Sequence, residues 1–167
     1  YFMQYCYKDI KKIINDNETM KQKIFETRSN NDFKTDANNV IGSYEYSDIS
    51  HIIGETLYDI KISKEDTEIA FYGESGQNFG MYHSQDCCEN VYLYDIVGDL
   101  DDLIGSPILK ATAESNSDDI EGTQTSDDSH TWTFYHFATM KGYVTLRWLG
   151  ESNGYYSEGV DFCSFTN

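Results

Sequence analysis

The chain has 167 residues, enough for one domain with its own core, and it carries 29 acidic residues against 12 basic ones. The net charge of −17 disfavours nucleic acid and anionic membranes as partners and favours basic protein surfaces or cations. No apolar run approaches the roughly 18 residues of a membrane span, and the 15% aromatic content argues against disorder.

The negative charge is unevenly distributed. Residues 1–39 carry seven basic and six acidic side chains, whereas residues 40–167 carry five basic and 23 acidic ones. We therefore divide the chain into an N-terminal helical segment with a linker, residues 1–39, and an acidic domain, residues 40–167. The sequence begins with Tyr1, so a removed leader remains open.

Apolar residues at helical spacing predict one helix, or two short ones, over residues 7–28. Paired asparagines between residues 29 and 39 predict a polar linker after it. The helix either packs on the domain or protrudes as an arm for dimerisation or partner contact.

From residue 40 onward, β-branched and aromatic residues cluster in short runs separated by Gly, Asn, Asp and Ser, which predicts antiparallel strands. We predict nine strands, near residues 41–46, 56–63, 67–72, 78–84, 89–96, 107–114, 130–138, 142–149 and 155–163. Two short helical turns interrupt them, at residues 47–54 and 98–105. Each turn has an Asp near its start and a Gly at its end.

The segments around these two turns resemble one another. Gly-Glu-Ser follows a predicted strand in each, at residues 73–75 and 150–152, as a hairpin connection would. The second copy has about 26 extra residues, which form a predicted acidic loop. We interpret this as a duplicated β-α-β-β-β unit, with pseudo-repeats at about 40–84 and 89–163, although chance similarity remains the alternative. The predicted fold class is α+β: a mainly antiparallel sheet from two related halves, with an N-terminal helical segment.

Acidic residues and tyrosines form the candidate partner-binding site. Its members are Asp99, Asp101, Asp102, Asp118, Asp119, Glu121, Asp127, Asp128, Tyr135, Tyr155 and Tyr156. Dense carboxylates can imitate nucleic-acid phosphates and occupy a basic groove, and tyrosines are typical interface anchors. The alternative is a solvated acidic face with no partner.

The stretch His-Ser-Gln-Asp-Cys-Cys-Glu holds a second candidate site. His83, Cys87 and Cys88 can form a thiol nucleophile or ligate a metal. Two features count against both: on a strand the cysteines would point to opposite faces, and Asp86 and Glu89 would oppose thiol ionisation. We therefore expect no metal and no cofactor, with one cysteine in the core and the other lining the loop.

Three further patterns predict weaker candidate sites. Glu74 and Glu151 can form an acid/base pair if the two copies meet, but two ordinary turns explain them as well. His130 and His136 share one strand face, where cross-strand packing is the simpler role. A small-molecule module that binds a nucleotide signal between the halves would need cations there. The available ones are Lys61, Lys64, Lys110, Lys141 and Arg147.

The sequence resembles an uncharacterised family of small, acidic, bacteriophage-encoded proteins, a domain of unknown function. The similarity is carried by residues 83–89, 95–96, 98–107, 131–135, 141–148 and 150–157, and covers roughly residues 52–162. It implies phage or prophage origin and a setting in the host bacterial cytoplasm. It brings no catalytic residues.

The leading hypothesis is a non-enzymatic, phage-encoded, anti-CRISPR-like inhibitor. It would bind a basic host nucleic-acid-handling or defence protein by acidic occlusion, without binding nucleic acid or membrane directly. The sequence has no P-loop, dinucleotide fingerprint or nucleophile elbow. A second copy of the chain, bound through the N-terminal helix, is a further candidate partner. The alternatives are a thiol-dependent or metal-assisted enzyme centred on His83, Cys87 and Cys88, and the nucleotide-binding module.

Overall fold

The structure is a computed structural model, which describes residues 28–118 and 129–166. The described residues form nine strands: β1 Ser43–Tyr46, β2 Leu57–Ile62, β3 Glu68–Gly73, β4 Asn78–Tyr82, β5 Glu89–Val97, β6 Lys110–Asn116, β7 Ser129–Ala138, β8 Tyr143–Ser152 and β9 Asp161–Thr166. Short 3₁₀ helices span Asn30–Phe33, Ile49–Ile52 and Leu100–Leu103. The nine predicted strands are confirmed, with the largest shift at β9, which begins at Asp161 and not near residue 155.

The predicted α+β class is wrong. Over the part of the chain that is described, 52% of residues are in strands, 9% are helical, and no helix reaches seven residues. The two predicted helical turns are single 3₁₀ helices, because a terminal Gly with positive φ follows each after four helical residues: Gly54 at 90° and Gly105 at 69°. The predicted N-terminal helix lies almost entirely outside the described residues. None of the described helices is long and apolar enough to cross a membrane.

Two antiparallel sheets contain all nine strands. One has the order β1-β9-β4-β3-β2 and the other the order β5-β8-β7-β6. In each half a strand and a 3₁₀ helix precede a three-stranded meander. In the four-stranded sheet, β8, the last strand of the meander, pairs with β5. In the five-stranded sheet, β9 lies between the corresponding strands β4 and β1. The halves therefore share one element order, with a 3₁₀ helix where an α-helix was predicted; their common origin stays an interpretation.

The two Gly-Glu-Ser stretches are not equivalent, contrary to the predicted pairing of turns. Glu74 is exposed in the connection between β3 and β4, whereas Glu151 lies inside β8 and is only 6% exposed. The alignment of the two Gly-Glu-Ser stretches had matched β8, the third strand of its meander, with β3, the middle strand of the other meander. The two carboxylates therefore belong to different sheets and give no support to an acid/base pair.

One hydrophobic core fills the space between the sheets. Alternate residues of β8 face it, among them Leu146 and Trp148, and both are fully buried. The rings of Phe71 in β3 and Phe137 in β7 join the sheets, with centroids 5.6 Å apart. Each fully buried side chain of this size contributes about 1.5–3 kcal/mol. The region between the halves is thus a packed interior.

Residues 29–39, predicted as a linker, pack on the domain. Phe33 is 2% exposed and belongs to the core. The Thr35 amide donates to the Ile62 carbonyl at 2.9 Å, which fastens this segment to the edge of β2. A little further on, the Glu68 carboxylate accepts the amide of Val40 at 2.8 Å. The chain from residue 33 to residue 41 therefore covers part of the five-stranded sheet.

Candidate partner-binding surface

Three connections leave the same end of the four-stranded sheet. At this end β5 and β7 begin and β6 and β8 finish, and Ser152 is paired with both Glu89 and Ser129. We call the described residues 83–88, 117–118 and 153–160 the loop end. Asp118 is exposed there. The predicted binding residues Asp119, Glu121, Asp127 and Asp128 lie outside the described residues, in the connection that joins Asp118 to Ser129.

The predicted acidic set is divided between opposite ends of this sheet. Asp99, Asp101 and Asp102 follow the last residue of β5, at the end away from the loop end. Ten residues of β8 separate the two ends, a distance of roughly 30 Å at about 3.3 Å per residue. The predicted residues therefore do not form one continuous surface.

The carboxylates of the Leu100–Leu103 turn have structural roles. Asp99 caps the turn by accepting the Asp101 amide at 3.0 Å. The Asp101 carboxylate pairs with Arg28 Nε at 3.3 Å. Asp102 packs against Gly142, and its carbonyl accepts the Thr139 hydroxyl at 2.6 Å. These three residues stabilise the fold, and we remove them from the candidate surface.

Tyr135 was predicted to lie on the binding surface, but it is a core residue. It is 4% exposed, and its hydroxyl donates to the Val160 carbonyl at 2.8 Å. Burial, with the nearby charge of Asp161, raises the pKa of Tyr135. The alternation along β7 predicted two faces, but it does not reveal which face meets the other sheet.

The other two predicted tyrosines lie at the loop end. Tyr155 is 85% exposed, and its ring centroid is 5.2 Å from that of Tyr156, in an edge-to-face pair. The segment that carries them is fastened by Glu158, whose carboxylate accepts the hydroxyls of Ser152 at 2.6 Å and Thr131 at 2.7 Å. A partner can therefore contact Tyr155 on a loop held by a buried anchor.

Glu158 is charged although it is buried. Burial raises its pKa, but the hydrogen bonds from Ser152, Thr131 and Ser129 outweigh that effect, and the pKa lies below its ordinary value. The carboxylate is therefore an ionised acceptor that holds the loop at neutral pH.

His83 and Glu89 form a second buried anchor at the loop end, with side chains 6% and 1% exposed. His83 Nδ1 donates to the Gly159 carbonyl at 2.8 Å, and Nε2 is 3.4 Å from Glu89 Oε1. Both ring nitrogens therefore face oxygen atoms of this chain, and the ring links the segment before β5 to the segment before β9. Burial by itself raises the pKa of Glu89. The hydrogen bonds from the Asp86 amide and from His83 have the opposite and larger effect, so the pKa of Glu89 lies below its ordinary value.

Cys87 and Cys88 point the same way, contrary to the prediction that they occupy opposite faces. Their Sγ atoms are 2.7 Å apart, and both residues are exposed. The prediction failed because the pair precedes β5 and Cys88 has a left-handed φ of 63°, so the strand alternation does not apply. The expected core cysteine is instead Cys163, which is fully buried.

The described residues give little support to the two alternative functions. Within them, no group of three or more His, Cys, Asp or Glu side chains is placed to hold a metal ion. Lys61 lies over the Tyr72 ring, and Arg147 pairs with Asp95 at 3.1 Å, on the outer surfaces of different sheets. A nucleotide site between the halves would coincide with the hydrophobic core.

The predicted packing role of His136 is confirmed. Its Nδ1 is 2.9 Å from the Thr145 hydroxyl on β8, and its Nε2 is 3.1 Å from the Glu114 carboxylate on β6. The ring therefore bridges both neighbours of β7. His130 shares its strand face, as predicted from the even spacing.

A second acidic, aromatic surface was missed from the sequence. On the sheet-edge strand β1, Tyr46 is 76% exposed, and the Tyr44 ring centroid lies 4.3 Å from that of Tyr82. Burial, with the neighbouring Tyr44 and Asp161, raises the pKa of Tyr82 to about 12. We call Tyr44, Tyr46, Tyr82 and Asp161, which share one face of the sheet, the β1 patch. The alternation Tyr-Glu-Tyr in β1 was the available signal.

The fold and the loop end define a class: an acidic, two-sheet antiparallel β protein whose exposed thiols, paired tyrosines and exposed Asp118 lie at one end of the four-stranded sheet. The chain belongs to the family described as domain of unknown function DUF7448, whose sequence model matches residues 4–162. This match includes the stretch 52–162 on which the sequence resemblance was based, and it reaches further toward the N-terminus, to residue 4. No curated protein and no solved structure matches the chain.

Proposed function

We propose that this protein is a non-enzymatic, phage-encoded inhibitor that acts in the host cytoplasm by covering the basic surface of a nucleic-acid-handling or defence protein. The loop end is its contact surface. The observation that carries this proposal is that the exposed carboxylates of Asp86 and Asp118 and the Tyr155–Tyr156 pair lie at the same end of the four-stranded sheet.

The charge of the connections supports the proposal. Residues 83–88, 117–128 and 153–160 contain seven acidic residues and neither Lys nor Arg. A concentrated field of one sign steers a basic partner and speeds its association. Direct binding of nucleic acid is disfavoured by the same field.

The basic side chains in the described part of the chain lie away from the loop end. Arg28 pairs with Asp59 at 3.2 Å, and Lys34 pairs with Asp66 at 2.6 Å. Lys141 donates to the carbonyl of Ile104 at 2.6 Å, beyond the opposite end of the sheet. These internal contacts leave the acidic charge at the loop end available to a partner.

Tyr155 adds a contact that charge alone lacks. Large amphipathic side chains at the centre of an interface carry much of its binding energy, and charged residues at the rim mainly affect the association rate. Tyr155 is flanked by Tyr156 and fastened through Glu158, so little conformational entropy is lost when it binds. We therefore assign the anchor role to Tyr155 and the steering role to the acidic connection.

A charge-reversal comparison tests the surface. The partner is recovered from host lysate at low salt, purified, and titrated with the wild type and with Asp118→Lys/Asp119→Lys. We expect the double variant to weaken binding at least tenfold, mainly through the association rate, and to flatten its salt dependence. The matched control is Glu65→Lys/Glu74→Lys, which reverses two exposed charges in connections of the five-stranded sheet and should bind like the wild type.

Two further variants separate the anchor from alternative surfaces. Tyr155→Ala should raise the dissociation rate and leave the association rate nearly unchanged. If Tyr46→Lys/Asp161→Lys abolishes binding while the loop-end variants keep it, the β1 patch is the contact surface and our assignment is wrong. Failure to recover any basic, nucleic-acid-binding protein at low salt would end the proposal.

A further inference from the structure

We infer that Cys87 and Cys88 are a reversible modification site, a vicinal dithiol that closes to a disulfide by exchange with a low-molecular-weight disulfide. The inference does not depend on the proposed binding function. It rests on the position of the two sulfurs, the backbone between them and the contacts that hold the loop.

The sulfur atoms are already close to bonding distance. Their separation of 2.7 Å is only about 0.7 Å longer than a disulfide bond of ~2.05 Å. Adjacent residues seldom reach this arrangement, because an extended chain directs successive side chains to opposite faces. Here the left-handed φ of 63° at Cys88 turns both sulfurs to one side.

Hydrogen bonds hold the loop in this conformation. The Asp86 amide donates to Glu89 Oε1, and the Gln85 side-chain amide donates to the Glu89 carbonyl, each at 2.5 Å. A left-handed non-glycine residue is unfavourable by itself and persists only where its surroundings fix it. The buried Glu89 therefore arranges the two thiols before any bond forms between them.

Both thiols can be reached by a reagent. Cys87 and Cys88 are exposed, whereas Cys163 is fully buried, and burial raises the pKa of Cys163 to about 11. The hydrogen bond to Cys87, together with the charges of Glu89 and Asp86, raises the pKa of Cys88. We therefore expect exchange at the pair to be much faster than at Cys163, and to accelerate as pH rises above neutrality.

The chemistry needs one small disulfide, RSSR, as oxidant. One cysteine thiolate attacks a sulfur of RSSR, forms a mixed disulfide and releases RS⁻. The neighbouring thiolate then attacks the protein sulfur of that mixed disulfide, forms the Cys87–Cys88 bond and releases the second RS⁻. The protein loses two protons and two electrons, and the oxidant becomes two RSH.

The product should be easy to reduce. The Cα atoms of adjacent residues are about 3.8 Å apart across a trans peptide, shorter than the usual ~4.4–6.8 Å of a disulfide. The resulting strain makes such a bond more readily reduced than a structural disulfide. The pair is therefore suited to reversible modification and not to permanent crosslinking.

The test equilibrates the full reduced chain with glutathione buffers of increasing disulfide fraction, followed by acid quenching, alkylation and peptide mapping. We expect residues 87 and 88 to lose both alkylatable thiols together, in a peptide lighter by two hydrogen atoms and free of glutathione. Dithiothreitol should restore both thiols. The matched controls, Cys87→Ser and Cys88→Ser, should instead accumulate glutathione on the remaining cysteine.

Three results would overturn the inference. One is a glutathione adduct on the wild type at the level of the serine variants, because closure would then not follow the first exchange. Another is a disulfide from Cys87 or Cys88 to a different cysteine or to a second chain. The last is survival of both free thiols in the most oxidising buffer. Loss of partner binding by loop-end charge reversal is measured separately, so the two proposals can fail independently.

Discussion

Glu89 and Glu158 show how individual buried carboxylates position the loop end. Each side chain is almost fully enclosed, yet hydrogen-bond donors keep its pKa below the ordinary value. Glu89 arranges the backbone of the cysteine pair, and Glu158 fastens the segment that carries Tyr155 and Tyr156. The exposed residues of the candidate surface thus depend on two residues that a partner cannot touch.

Glu158 gives a pH prediction. Its folded pKa lies below the ordinary value of 4.5, so its stabilisation is present above that pH and is lost as pH falls through the folded pKa. Glu158→Gln, which removes the charge, should lower the free energy of unfolding by about 1–3 kcal/mol at pH 7, because hydrogen bonds to a charged acceptor are lost. The difference from wild type should shrink below about pH 4.5.

Urea unfolding at several pH values measures this effect. Asp118→Asn is the matched control, because that carboxylate is exposed and should give a small difference at every pH. A constant difference between Glu158→Gln and wild type from pH 7 to pH 3 would mean that the charge of Glu158 contributes nothing, contrary to our interpretation.

At the scale of elements, the two 3₁₀ turns position the strands through their glycines. Gly54 closes the first turn, and Gly98 precedes the second, with φ values of 90° and 102°. At Gly54 a Cβ would meet nothing within 4 Å, whereas at Gly98 it would lie 2.5 Å from the Tyr143 carbonyl oxygen. Glycine is therefore required at position 98 both for its backbone conformation and for close packing against β8. At position 54 it is required for its backbone conformation alone.

This difference predicts the relative cost of two alanine substitutions. Gly54→Ala should destabilise the protein by about 1–2 kcal/mol through the left-handed backbone alone. Gly98→Ala should cost more, because β8 or the turn must also shift to relieve the contact. Thermal or urea unfolding of both variants measures the two losses in the free energy of unfolding. Equal losses would show that the turn can move away from Tyr143 without cost.

Most of the strands and turns could be predicted from the local sequence. The nine strands follow from β-branched and aromatic runs, and the turn boundaries follow from Asp48, Asp99 and the terminal glycines. The α-helical assignment of the turns failed because the signals at the start and end of each are separated by only four helical residues. The bend at Cys88 was missed because a positive φ in a non-glycine residue is imposed by contacts with Glu89 and not by its own residue type.

Strand order was not predictable from the same patterns, and the candidate surface depends on it. The pairing of β5 with β8, whose partner residues lie 48 to 63 positions apart in the chain, brings the cysteine loop beside the tyrosine loop. It also places the Leu100–Leu103 carboxylates at the far end. Tyr135 and Tyr155 look equally suitable in sequence, but sheet packing buries one and exposes the other. Long-range pairing, more than residue type, therefore decides which predicted residues can bind a partner.

For the whole molecule, two electrostatic effects of opposite sign compete. The net charge of −17 creates repulsion that favours expansion of the chain. Against it stand local pairs such as Arg28 with Asp59 and Lys34 with Asp66, which are partly exposed and contribute about 0–1 kcal/mol each. Because these local contributions are small, we expect the summed repulsion to dominate.

Added salt tests which effect is larger. Raising the ionic strength from about 0.01 M to about 1 M shortens the Debye length from ~30 Å to ~3 Å, which screens repulsion between distant carboxylates. The melting temperature should therefore rise with NaCl. It should rise less for Asp118→Lys/Asp119→Lys, which changes the net charge from −17 to −13. A melting temperature that falls with salt would show that the local pairs dominate. The loop end would then lack the unrelieved charge on which association with a basic partner depends.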